Sequence, residues 1–444
     1  MIYQTKGTCS EQIHIEIEND IIQSVKFVKG CPGLTQALER MLIGVGVQDA
    51  IRKLDGIQCL DKGTSCPDQL AKALKQYVSE KENNEMTTSI FDTVAVKNLQ
   101  LKNRIYVTPM VTRFSEPDTG KAEAGTVEHY RQLAKGGPGL IIQEATCIDF
   151  DGRLMDRQLG IWDDGQIDGL HKIVEAVHEE KCAIFVQLHH AGVVGISKDP
   201  MCPDNYSYVA QDGTVKSGRR MTLEEIHTIQ TEFVDAAVRA YKAGYDGIEL
   251  HGCHQYLICQ FLNRKVNQRQ DVYGTDPLQF VREIFTEIRK KVPESFVIGI
   301  RLGGFEPTLE DAIQNAVQLE QMGIDFIDVS YGFQKEQETV CPENYPFLDI
   351  IYAAEKIKQA VKVPVFAANG ITSPEMANQV LEQTKATLIG IGRGFIVNPN
   401  WMVDAVRKSN TGKCLHCKKC RLYDDPEKCP GKILFNRQSQ AAKE

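Results

Sequence analysis

The heptapeptide HGCHQYL, His251 to Leu257, sets two histidines three residues apart and a tyrosine two residues after the second. Three chemistries fit that spacing: a metal site, a pair of core histidines, or a device for gripping a substrate. The metal reading calls for further ligands, and Glu249 lies two residues before His251, on the same face if the segment is a strand. The tail holds a second reactive set, CLHCKKCRLYDDPEKCPG, in which Cys414, Cys417, Cys420 and Cys429 follow C-x2-C-x2-C-x8-C. Four thiolates so close in sequence suit a metal centre, and neighbouring His416 adds a nitrogen donor.

Composition bounds what can position these groups. At 444 residues the chain exceeds the ~250–300 at which a single core stops growing, so one large domain with attachments is expected. A composition of 42% hydrophobic and 25% charged residues fits a soluble, folded chain. The net charge of −8 argues against a nucleic-acid partner, whose phosphates demand a basic face. No apolar run nears the ~18 residues of a membrane span. The opening MIYQTKGTCSEQIHIEIEND lacks the basic-then-apolar order of an export signal, so a cytoplasmic protein is expected. There, fourteen cysteines point to thiol or metal chemistry rather than disulfides.

Residues 1–80 read as a small α+β domain. IHIEIEND and IIQSVKFVKG alternate apolar and polar residues about Asn19-Asp20, which predicts a hairpin, and helices are predicted around LTQALERML and DQLAKALKQYV. The charged SEKENNE has linker composition and places a linker at 81–89. From 90 to 408, eight β-rich runs (RIYVTP, GLIIQE, AIFVQL, GIEL, FVIGIR, FIDVS, VPVFAA and LIGIG) alternate with amphipathic segments such as TIQTEFVDAAVRAYKAG. This repeat predicts an α/β fold, a (β/α)8 TIM barrel. A doubly wound sheet would want a glycine-rich turn after its first strand, and none follows RIYVTP. Val193 to Arg220 reads as a loop over the pocket, and 409–444 as a Cys-rich tail.

A barrel keeps its chemistry where the strands end. At those ends stand Pro109, Met110 and Thr112, then Glu144, then Gln187, His189 and His190, then the HGCHQYL group and Arg301, followed by Ser330, Tyr331, Asn369, Gly370, Gly392 and Arg393. The last two strands run into the glycine loops of FAANGITSPE and IGIGRGF. Their bare amides, with the helix opening at Ser373-Pro374-Glu375 and the Arg393 guanidinium, predict a phosphate site.

The ordered motifs LKNRIYVTPM, HYRQLAKGGPGLII, FVQLHHAG, AGYDGIELHGCHQYLICQFLN, the N-x-R-x-D-x-YG of Asn267 to Gly274, and IGIRL, with the two glycine loops, span roughly Ile90 to Trp401. Together they resemble the old yellow enzyme family of FMN-dependent oxidoreductases, including the barrel part of bacterial 2,4-dienoyl-CoA reductases. The resemblance implies FMN as cofactor and NAD(P)H as reductant. It places Gln187 on the flavin's pyrimidine edge and Arg301 near its N1 and C2 carbonyl. Gly370, Gly392 and Arg393 would hold the 5′-phosphate, and Pro109, Met110 and Asn369 would line the cofactor. His251 and His254 match the family's pair that binds the substrate carbonyl, and Tyr256 its proton donor. The implied reaction is reduction of an activated C=C bond in an enone, enoate or enoyl thioester. Departures from the pattern are Val111 where Thr or Cys is usual, with Thr112 as the neighbouring hydroxyl, Val193 and Phe280 where arginine is usual, and Gln255 for glycine.

The tail resembles the segment that carries a [4Fe–4S] cluster in the dienoyl-CoA reductase branch, with shorter spacings before its third and fourth cysteines; zinc is the alternative. In that branch a FAD domain feeds the cluster, and no such domain is expected here. FMN is therefore expected to be reduced by NAD(P)H directly or by an external electron-donor protein through the tail. Thr64 to Asp68 spells TSCPD and resembles the small domain of that name, whose pattern Cys9, Cys31, Cys59 and Cys66 also fit. For that domain a metal-binding or regulatory module and a structural appendage are both open. Two other functions compete: a flavin- and metal-binding redox sensor without turnover, and a tRNA dihydrouridine synthase-like enzyme, against which the acidic charge and the His-x-x-His-x-Tyr pattern speak.

Overall fold

The computed structural model describes residues 1–18, 20–86, 88–210, 212–333, 341–418, 420–421 and 426–441, without the side chains of 79–86, 426 and 441. The chain divides into two units, Met1–Thr88 and Ser89–Glu444.

In the first unit, strands Ser10–Glu18 and Ile21–Lys29 pair antiparallel as the alternation predicts, and Ile2–Gln4 adds an edge. Alternation puts Ile13, Ile15, Ile22 and Val25 in a core with Leu38 of helix Pro32–Met41 and with Leu70 and Leu74 of helix Cys66–Met86. A further helix, Val47–Leu54, adds Ala50; its eight residues are too few for helical periodicity to show in the sequence. The SEKENNE stretch expected as a linker is instead the end of helix Cys66–Met86. Glu and Lys are strong helix formers, and the buried first turns have already nucleated the helix, so added charge does not stop it.

The second unit closes eight parallel strands into the predicted barrel. They are β1 Ile105–Val107, β2 Leu140–Cys147, β3 Ala183–His189, β4 Gly247–Gly252, β5 Val297–Gly303, β6 Phe326–Ser330, β7 Val365–Ala368 and β8 Leu388–Ile391. Nearly every strand residue is buried, which is why the sequence shows apolar runs rather than alternation. Inside, Phe326 stacks between Phe185 and Phe366, with ring centroids 5.4 and 4.5 Å away. An ideal Cβ on Gly299 would stand 2.1 Å from the Phe326 ring, so this layer admits only glycine on β5. Two residues further along the same strands, on the same face of the pleat, come Gln187, Arg301 and Asp328. The aromatic layer thus sets the depth at which the polar layer begins.

The Val193 to Arg220 segment, expected as a loop, contains a small sheet of Met201–Cys202, Tyr206–Val209 and Val215–Arg220. Its hairpin turns at Asp212-Gly213, with Gly213 at φ +87° and Thr214 N donating to Asp212 Oδ1 at 3.0 Å. An Asp-Gly pair is a hairpin turn signal, and here it outweighs the polar flanks. In the tail, helix Pro430–Ala441 brings Phe435 and Gly431 against Gly412 and Val397, so the tail lies on the short helix Arg393–Val397 that follows β8. Among the described residues no helix is long and apolar enough to cross a membrane.

Gly299→Ala is expected to lower the unfolding free energy by about 1–3 kcal/mol through overpacking, as read by chemical denaturation. Wild-type stability would show slack around Phe326.

Candidate active site

The ends of β1, β5, β7 and β8 open onto one cavity of ≈ 340 Å³. Pro109 and Met110 line it from β1, Arg301 from β5, Asn369 and Gly370 from β7, and Gly392 and Arg393 from β8. His254 reaches it from the loop after β4. Asn369 and Gly370 both take positive φ, +88° and +72°, which turns the chain sharply after β7. An ideal Cβ on Gly392 would stand 2.6 Å from Thr108 Oγ1. Bare backbone at these loops is therefore open to a ligand's approach, and exposed Arg393 has no ion pair among the described residues. The helix predicted to share the phosphate site does not: Pro374–Thr384 is capped by its own Ser373, whose Oγ accepts from Met376 N at 3.2 Å, and Glu375 puts a negative charge in its first turn. Ile371 and Thr372 line the cavity in its place.

Beneath the cavity lies a buried polar chain. Arg301 Nε is 3.0 Å from Asp328 Oδ2, close enough for an ion pair though not aligned for a hydrogen bond. Tyr106 OH donates to Asp328 Oδ1 at 2.7 Å, and Gln187 Nε2 donates to Glu249 Oε1 at 2.7 Å. Burial, then the Asp328 charge, pushes the Glu249 pKa well above the carboxylate range, so Glu249 is a neutral acid. Gln187 keeps its carbonyl and one N–H for another partner. Tyr106 and Asp328 escaped the sequence reading, although a lone acid inside the apolar run FIDVS was a signal. Thr112 does not face the cavity: its N–H and hydroxyl both bond Glu144, at 2.8 and 2.7 Å, and burial raises that acid's pKa to about 7.

The histidines form a wire. His189 Nδ1 is 3.2 Å from His251 Nδ1, His251 Nε2 is 2.9 Å from His254 Nδ1, and His254 Nε2 is 2.8 Å from Ser330 Oγ, which also accepts from Asn369 Nδ2 at 3.3 Å. Tyr256 packs edge-on to this group, its ring centroid 4.4 Å from His189 and 4.7 Å from His251. His254 and Gln255 both adopt left-handed backbone, φ +56° and +66°. At Gln255, where glycine is usual, the strain is met by Gln260 Nε2, which donates to the Gln255 carbonyl at 2.6 Å. Burial drives the His251 pKa well below 6.5 and the His254 pKa to about 3, so both imidazoles are neutral.

Among the described residues, one group of three possible ligands has all its donor atoms within 4.8 Å of one another: His251, Cys253 and His254. The metal reading of HGCHQYL thus gains Cys253, which the sequence did not single out, and loses Glu249, which turns to Gln187. In the tail, Cys414, Cys420 and His416 line the cavity beside Arg393, while Cys417 is exposed and Cys429 half-buried away from it. The four tail sulfurs are not drawn into such a tight group.

Residues 89–411 match the NADH:flavin oxidoreductase / NADH oxidase family. The chain belongs to that family. Residues 1–78 match the TSCPD domain. An NADH oxidase of Thermoanaerobacter brockii is 35% identical over 346 residues, 74% of this chain and 52% of the relative. An NADPH dehydrogenase of Bacillus cytotoxicus is 34% identical over 324 residues, 71% of this chain and 91% of the relative. The chain therefore spans about half the length of the first and nine-tenths of the second. Among solved structures, morphinone reductase in complex with tetrahydroNAD matches at TM-score 0.62 and 25% identity, over 74% of this chain and 93% of that one. A 2-naphthoyl-CoA reductase complex matches at TM-score 0.67 and 23% identity, over 73% and 53%, a likeness of fold. FMN and NAD(P)H are the cofactors that go with this family, and the bare-backbone cradle, an Arg393 without an ion pair among the described residues, and ionised Arg301 fit a flavin phosphate and an electron-rich ring edge.

The depressed imidazole pKa values fix a pH response. Between about 3 and 6.5 the unfolded chain binds a proton at His254 that the folded chain does not, so stability falls as pH falls through this window. His254→Asn is expected to flatten the decline in thermal midpoint below pH 6.5; an unchanged slope would place the titration elsewhere.

Proposed function

We propose that the barrel reduces an activated carbon–carbon double bond in an enone, enoate or enoyl thioester. The observation that carries the reading is the meeting of His251, His254 and Tyr256 at the end of β4, by the cavity that His254 shares with Arg301. FMN, when bound, supplies the hydride, and NAD(P)H the electrons that replace it. Reduction of such a bond builds negative charge on the substrate's carbonyl oxygen. The His251 and His254 nitrogens, 2.9 Å apart and bonded to each other, open to receive that oxygen between them. A neutral pair supplies donors without competing charge. Ser330 lets His254 present Nδ1–H: its hydroxyl can donate to Nε2 as readily as accept from it, so the proton changes nitrogen without leaving the ring's surroundings. Tyr256 holds the proton for the α-carbon. Gln187 and Arg301 hold the pyrimidine edge, and Gly370, Gly392 and Arg393 the phosphate.

The tail thiols are assigned to a metal centre, an iron–sulfur cluster ahead of zinc. The support is the placement of Cys414 and Cys420 on the cavity itself and the likeness of the four-cysteine tail to a cluster-bearing segment. A centre so placed would let an external electron-donor protein serve beside NAD(P)H. Anaerobic stopped-flow mixing with NADH and with NADPH separates the routes: fast flavin bleaching by either excludes an obligatory protein donor.

The double variant His251→Ala/His254→Ala is expected to keep the FMN spectrum and lose the spectral shift on adding a cyclic enone; loss of FMN would overturn the clamp. Tyr256→Phe is expected to bind the enone and slow its reduction by about 10²–10⁴-fold. Reduced flavin that no enone reoxidises would favour a sensor.

A further inference from the structure

Four cysteines far apart in sequence, Cys9, Cys31, Cys59 and Cys66, come to one place in the first unit, outside the barrel and its cavity. The open end of the hairpin begins this. Ser10 pairs with Lys29 at the last rung, so the chain segments bearing Cys9 and Cys31 leave the strands side by side, and an ideal Cβ on Gly30 would lie 3.5 Å from Ser10 Cβ. The loop of residues 57–66 then closes over the same end. Ser10 Oγ is 3.4 Å from Cys66 Sγ, Lys62 Nζ donates to Cys9 Sγ at 3.2 Å, and an ideal Cβ on Gly7 would lie 3.1 Å from Thr64 Cγ2. Cys59 is fixed in that loop by its N–H to Thr64 O and by its carbonyl, which accepts from Lys62 N, both at 3.2 Å. The TSCPD motif divides its labour accordingly. Thr64 and Ser65 bond Asp68, and Asp68 accepts from Gly56 N at 2.9 Å, which builds the loop. Cys66 instead aims its sulfur at the meeting point. The Cys31 thiol lies within hydrogen-bonding reach of Cys9 and near Cys66 and Cys59.

We propose that Cys9, Cys31, Cys59 and Cys66 form a four-thiolate metal centre that takes an iron–sulfur cluster. Soft thiolates select such metals. A single zinc ion with Zn–S bonds of ~2.3 Å needs sulfurs on tetrahedral edges of ~3.8 Å, and among the described residues no three of these sulfurs lie within 4.8 Å of one another. A cluster of several irons bridges that wider gap. Four thiolates leave the centre negative, and Lys62 offsets the charge at Cys9. Cys66 is buried while Cys9 and Cys31 are exposed, so the centre is walled on one side and open to loading on the other.

The test uses the full chain carrying Cys414→Ser, Cys417→Ser, Cys420→Ser and Cys429→Ser, which removes the tail thiols from the count. Purified anaerobically, it is expected to hold iron and acid-labile sulfide in equal amounts, with an EPR signal on reduction. Adding Cys31→Ser and Cys59→Ser is expected to bring iron to background with the circular dichroism spectrum unchanged. Cys9→Ser, at an exposed position, is the second variant should that pair unfold the domain, and it is expected to lower iron content or shift the EPR signal. No iron in the tail variant, zinc in its place, or iron that survives these substitutions overturns the proposal.

Discussion

The Arg301–Asp328 pair inside the barrel is the constraint on which the site depends. A guanidinium at that depth is tolerable only beside an opposite charge, and the strand register supplies one: Arg301 of β5 is the direct neighbour of Asp328 of β6. Burial alone would lower the arginine's pKa, and the groups around it together, Asp328 first among them, outweigh it. The Tyr106 hydroxyl shares in neutralising the carboxylate. Burial first, and then the neighbouring Asp328, keeps Glu249 protonated, and that neutral acid holds the Gln187 amide. Burial and this ion pair together thus set the protonation of the polar groups beneath the cavity.

The histidines obey the opposite rule. They are buried, with no carboxylate paired to them among the described residues and near the positive Arg301, so desolvation keeps them neutral. A fixed cation under the cavity and neutral donors at its edge is a division suited to a reaction in which negative charge appears in two places. The wire from His189 to Ser330 adds freedom that an isolated pair would lack, since each member can exchange donor and acceptor roles.

Departures from the family pattern find local explanations in packing. Phe280 is fully buried and stacks on Phe261 at 4.1 Å between centroids, so the position serves the helix layer and not the pocket. Val193 is buried too, against the Gly218 backbone of the small sheet over the barrel. Gln255 keeps glycine's backbone conformation through the contact from Gln260.

By itself the sequence determined the barrel, because eight buried parallel strands must each read as an apolar run followed by an amphipathic helix. It also determined which strand ends carry reactive groups, since a strand fixes a side chain's face two residues at a time. Pro109, Met110, Arg301, Asn369, Gly370, Gly392, Arg393 and His254 accordingly meet at one cavity. What it left undecided were contacts made across strands and between loops. Asp328 looked like one residue of a strand until register set it against Arg301, and the helix opening at Ser373-Pro374-Glu375 looked like part of a phosphate site until its own Ser373 capped it and the cavity lining stopped at Thr372. The four N-terminal cysteines, spread over 9 to 66, had no common place until a hairpin end and a distant loop were folded together. Periodicity records which face of an element a residue occupies; only tertiary structure records what that face meets.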